Sequence, residues 1–213
     1  MIEALPGGTT EADRAIALGT DVHDTWNHAA ILRARTGDRA GYHGHCRRML
    51  ERFGPTTDPI IAERTAKACL LLPLGGPEQE AACDLADRAV ALAQGHWVEP
   101  WAEATRSWAA YRRGQFADAV AWADRCLSRG PGDWNREFPC HLVRALALSR
   151  LGRLDEAGAA RARASDLYRT NVASPGSRAD GGDWHDQLIC EILRREAEAY
   201  FLDRDFPADP FAR

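Results

Sequence analysis

The stretch Gly41-Tyr42-His43-Gly44-His45-Cys46 places two imidazoles and a thiol within four positions. Imidazole and thiolate are favoured zinc ligands, and a histidine beside a cysteine can also activate a nucleophilic thiolate. On a helix, His43 and Cys46 are three apart and share a face. A structural zinc site needs about four ligands, however, and a catalytic one about three plus water. Cys140-His141 and His185 are the remote donors, and no spacing fixes them near His43. The alternative is structural: Tyr42 and Cys46 point inward from a helix, while His43 and His45 lie beside them, toward solvent or the neighbouring unit. The structural reading is the expectation, with no metal, cofactor or catalytic residue assigned; a metal-binding or enzymatic role for His43, His45 and Cys46 is the alternative.

The remaining acid–base pairs have no more support. Asp24 and His28 sit four apart on one helix, and Asp183 and Asp186 bracket His185. Such neighbours are ordinary on solvated helical faces, and a base needs a positioned nucleophile and a pocket. The chain has no G-x-x-x-x-G-K-[ST], G-x-S-x-G or H-E-x-x-H motif. No enzyme activity is expected.

The elements that hold these residues are helical. Alanine, arginine and leucine dominate, whereas valine, isoleucine and threonine are sparse. A formal net charge of −4 is not the basic footprint of a nucleic-acid binder, so nucleic acid is an unlikely partner. The longest uncharged central run, "ACLLLPLGGP", is too short to span a bilayer, and no signal-peptide pattern opens the chain. Six scattered cysteines without a C-x-x-C pair fit buried thiols in a reducing cytoplasm.

A repeat runs through the chain. Residues 112–131 carry Gly114, Phe116, Ala119, Ala123, Cys126 and Pro131; Gly152, Leu154, Ala157 and Ala164 recur at the same offsets, as do Gly37, Tyr42, Cys46 and Met49. A fourth copy runs through Ala82, Ala86 and Ala89, with Pro77 at the turn. Each unit predicts two helices around a turn glycine: 22–36 with 38–53, 59–73 with 78–94, 99–113 with 115–129, and 136–151 with 154–169. Asp58-Pro59 and Gly76-Pro77 are helix starts with proline in the first turn, where its missing N–H costs little. Residues 1–20 contain the second half of a preceding repeat, so the array is expected either to continue or to meet another protein there. Residues 170–183 read as a loop and 203–213 as a tail. Between them, 184–202 reads as a C-terminal capping helix with an apolar stripe (Trp184, Leu188, Ile189, Ile192, Leu193, Ala199, Tyr200). Its outer face is Glu191, Arg194, Arg195, Glu196 and Glu198.

With Trp26, Ala30, Gly37, Tyr42 and Met49 in one unit and Ser107, Gly114, Phe116, Ala119, Cys126 and Pro131 in another, the chain resembles the tetratricopeptide repeat family over about residues 12–169. Its units are longer than the family's usual 34 or so residues. "TTDPIIAERTAKACLLLP" and "DWHDQLICEILRREAEAY" are also similar to repeat-containing tails of bacterial serine/threonine kinases and WD40 proteins. No Gly-rich loop, V-A-I-K or H-R-D is present. The resemblance implies an all-α, right-handed helical-hairpin solenoid that binds a protein or peptide, with a regulatory module of a kinase-type signalling system as the alternative.

In that family the first helix of each unit lines the concave surface. The register then places Asn27, Ile31 and Arg35, Arg64 and Lys67, Trp101, Ala104, Trp108, Tyr111 and Arg112, and Leu142, Leu146, Ser149 and Arg150 toward one groove. Aromatic anchors with arginines are enriched at binding hot spots. Such a groove suits a peptide with apolar side chains and a carboxylate. On this reading Trp108→Ala or Arg112→Glu weakens partner binding without unfolding the chain. Trp97, Trp122 and Trp134 are expected to fill space between alanine-rich helices.

Overall fold

A computed structural model describes residues 11–171 and 184–205, and among these the chain is all-helical, with ten helices and no strand. In order they are α1 (Glu11–Ala17), α2 (His23–Thr36), α3 (Arg39–Phe53), α4 (Pro59–Leu70), α5 (Gly76–Leu92), α6 (Glu99–Arg112), α7 (Phe116–Leu127), α8 (Trp134–Arg150), α9 (Leu154–Asn171) and α10 (Trp184–Asp205). The expected loop and tail lie mostly outside the described residues, as does Asp183. Where they overlap, α9 continues through Thr170 and Asn171, and α10 runs to Asp205.

Local chemistry sets the boundaries. Asp58 accepts hydrogen bonds from the backbone N–H of Ile60 and Ile61 (2.8 and 3.1 Å), which occupies donors that the first turn of α4 leaves unpaired. Gly37, Gly114 and Gly152 hold φ of 78°, 74° and 76° at equivalent turns, a conformation that side chains with a Cβ resist. The longer turn after α4 is closed by Tyr42, whose hydroxyl donates to the Ala68 carbonyl (2.7 Å) and accepts from the Leu72 N–H (3.2 Å).

From α1 to α9 each helix packs on the next, and alternate helices also touch: α2 on α4, α4 on α6, and α6 on α8 form one layer, with α3 on α5 outside it. The equivalent positions Met49, Ala89, Cys126 and Ala164 are all buried. Alanine at most of the buried points of α5, α7 and α9 lets paired helices approach closely. One continuous apolar core joins the units. Of the tryptophans expected to fill space, Trp122 and Trp134 are half-buried, but Trp97 is 62% exposed, because it stands in the turn before α6 rather than between helices. No described helix is long and apolar enough to cross a membrane.

The last helix departs most from expectation. Besides stacking on α8 of the final hairpin, α10 packs against α2, so it touches the last and first members of the inner layer. Asn135 near the start of α8 meets Asp186 (2.6 Å), and Ser149 near its end meets Tyr200 (3.2 Å), so α10 runs parallel to α8. On α2, His28 packs at a tilt against Trp184 (ring centroids 4.8 Å apart) and Arg35 pairs with Glu191 (3.1 Å). The inner layer therefore curves around α10, which lies along its hollow side.

Candidate functional site

His43, His45 and Cys46 diverge as neighbouring positions on α3 must. His43 is exposed beside a polar cleft of about 330 Å³ shared with Arg47, Leu74 and Glu78. Cys46 is fully buried, and its carbonyl accepts from the Cys69 thiol (3.9 Å). His45 was expected toward solvent or the neighbouring unit; instead it is 0% exposed and turned onto α2. There its Nε2 lies 2.8 Å from the Trp26 carbonyl and its ring lies 5.3 Å from the Trp26 ring. Among the described residues no group of three or more His, Cys, Asp or Glu side chains converges as a metal site.

The His45 environment has a measurable consequence. A carbonyl only accepts, so Nε2 carries the proton, and Nδ1 is buried without a partner. Burial pushes the imidazole from its usual 6.5 down to about 4; the bond to Trp26 opposes this, and Arg33 and Arg48 reinforce it. Below pH 6.5 the unfolded chain therefore binds a proton that the folded chain refuses until about pH 4. Stability is full above pH 6.5 and falls across that interval by about 3 kcal/mol from this residue. Urea unfolding at pH 7.5 and pH 4 should show a larger loss for the native chain than for His45→Gln; equal losses would contradict the assignment.

The remaining thiols are poor nucleophiles. Burial raises those of Cys69, Cys83 (to about 11) and Cys190. Cys126 is pulled down by its hydrogen bond with Cys140, against burial, and Arg136 lies 3.5 Å from its sulfur, yet it is fully enclosed between α7 and α8.

Of the residues that the register directs to a common wall, Arg35, Lys67, Trp101, Trp108, Arg112 and Arg150 lie along a surface that is occupied. Arg112, at the end of α6, donates to the carbonyls of Leu70 (3.0 Å) and Leu71 (3.1 Å) and forms a bidentate pair with Glu196 of α10 (2.6 Å to Oε2). Its side chain is only 4% exposed. Burial works against its charge, but Glu196 more than offsets this and raises the guanidinium's pKa. Trp108 is 3% exposed, with the Arg112 guanidinium 5.9 Å from its ring. Lys67 pairs with buried Glu63 (3.1 Å) and sits 5.6 Å from the half-buried ring of Trp101. Thr105 donates to the same Glu63 (2.8 Å). Arg35 faces Glu191, while Arg150 lies over Phe116 (5.2 Å) and Tyr200 (5.7 Å). Tyr111 packs on Phe116 (5.8 Å).

Two members of the set turn elsewhere. Arg64 pairs with Asp24, joining α4 to α2, and Asn27 is buried, with its Oδ1 lacking a hydrogen-bond partner. The expectation that Trp108 and Arg112 stand ready for an outside partner is corrected by α10, which covers them.

The sequence reading missed the two acidic residues of α10 that engage the wall. Glu191 and Glu196 were assigned to an outer face, yet they meet Arg35 and Arg112. Five residues apart, they stand about 140° apart around the helix, Glu196 within the arc of buried Ile189, Ile192, Leu193 and Ala197 and Glu191 beyond it. Ala199, placed in the stripe, is exposed. The seam closes tightly: the crevice left among Lys67, Trp101, Trp108, Asn135, Asp186 and Ile189 has about 20 Å³, room for about one water molecule. The wall, with Trp108 and Arg112 buried and Trp101 half-buried, is thus filled by an amphipathic helix whose carboxylates pair with its arginines. No family model, curated protein or solved structure matches this chain.

Proposed function

We propose that the chain is a non-catalytic protein-interaction module, a tetratricopeptide-like right-handed superhelix. Its inner wall binds an acidic amphipathic helix of a partner protein. The observation that carries this reading is the α10 seam. The wall formed by Arg35, Trp101, Trp108, Arg112 and Arg150 accepts an apolar stripe with two carboxylates, which is helix-in-groove recognition. Bidentate arginine–carboxylate pairing supplies orientation, and the buried aromatic rings supply apolar area.

The test uses the full chain and a synthetic peptide with the sequence of Trp184–Asp205. Calorimetric titration should give saturable one-to-one binding, weakened about 10-fold when the peptide carries glutamine at the positions of Glu191 and Glu196, a loss of about 1.4 kcal/mol. Absence of saturable binding to the chain, and to every variant with a loosened α10, refutes the proposal.

A further inference from the structure

The docked helix bears on how such a wall would be used. α10 is held by a seam that carries four polar pairs besides its apolar stripe. Asp186–Asn135, Glu191–Arg35, Glu196–Arg112 and Tyr200–Ser149 connect it to α2, α6 and α8. Charged and polar seams of this kind resemble reversible interdomain contacts more than obligate cores.

The seam is also incompletely satisfied. Arg35 Nε lies 3.1 Å from Glu191 but not in line for a hydrogen bond. On α10, His185 Nδ1, whose ring lies 5.3 Å from that of His28 on α2, is also without a hydrogen-bond partner. A buried polar atom left unpaired is destabilising. α10 is thus an imperfect ligand for this wall. A helix with the same stripe and carboxylates, and with groups that complete these bonds, binds better.

We propose that α10 is a built-in, displaceable occupant of the inner wall. The chain would alternate between a self-occupied closed state and an open state that takes the acidic amphipathic helix of a partner protein. This rests on the wall being a partner site. The apparent affinity for the partner is then its intrinsic affinity multiplied by the open fraction, so loosening α10 tightens partner binding. The same ion pair yields opposite results from its two ends. Removing the carboxylate on α10 opens an intact wall, whereas removing the arginine opens a wall that has lost its contact.

The experiment titrates the full chain, as the native sequence, as Glu191→Gln/Glu196→Gln and as Arg35→Gln, with the Trp184–Asp205 peptide. The double variant should bind the peptide at least about 10-fold tighter than the native chain, and Arg35→Gln should show no gain. Hydrogen exchange of the native chain supplies a readout independent of the variants' folding. Saturating peptide should accelerate exchange of the α10 amides and leave those of α4 and α6 protected.

Peptide binding of equal strength to the native chain and the double variant, or peptide binding with α10 still protected, overturns the displacement proposal while the wall remains a partner site. No binding to any form overturns the partner site itself. A double variant that dimerises by exchanging α10 between copies, seen by sedimentation, overturns the proposal in favour of self-association.

Discussion

Replacing Arg112 by glutamate should lower the unfolding free energy by about 3–5 kcal/mol, the range for removing one partner of a buried ion pair. The guanidinium is enclosed by two backbone carbonyls at the end of the α4 region and by the Glu196 carboxylate. Glutamate would bring a second carboxylate to Glu196 and leave the Leu70 and Leu71 carbonyls without their donor. Against a total stability of about 5–15 kcal/mol for a domain, this is a substantial share. Arg112→Lys should recover little of it, since one ammonium cannot reproduce the planar fork that serves both carbonyls and the carboxylate. Urea unfolding of the three proteins measures the differences. A loss below about 1 kcal/mol for the glutamate variant would show that the pair behaves as an ordinary surface bridge.

Trp108→Ala should cost about 3–5 kcal/mol, as expected when a large aromatic is deleted from a packed interior. The ring is 3% exposed and lies against the Arg112 guanidinium at the seam with α10. Trp97→Ala is the internal control: at 62% exposure it should change stability by no more than about 0.5 kcal/mol. Thermal unfolding of both variants separates a buried anchor from a surface ring. Equal small shifts would contradict the packing of Trp108.

These expectations reverse the sequence reading of the same two residues, which assigned them to an open groove whose mutation spares the fold. The register was informative about direction: Arg35, Lys67, Trp101, Trp108 and Arg112 lie on one layer of helices because each occupies an equivalent side of its own helix. Whether that side faces water was not available from the register. His45 shows the same limit at a smaller scale. Its neighbours Tyr42 and Cys46 are marked as inward by their residue types, whereas an imidazole is compatible with either environment. The Trp26 carbonyl, nineteen residues away, gives His45 a buried partner.

The amino-acid order alone determined the helices, their turns and their apolar sides. These follow from interactions within a few residues: the 3.6-residue period of apolar positions, the Asp58 cap, and left-handed glycines at equivalent turns. What covers the shared wall was decided only by tertiary structure. Apolar burial has no preferred direction, so the stripe of α10 records that it must be covered without recording by what. Packing against α2 and α8 selected the hollow side of the layer, where Arg35 and Arg112 meet two glutamates that the sequence reading had assigned to the outer face.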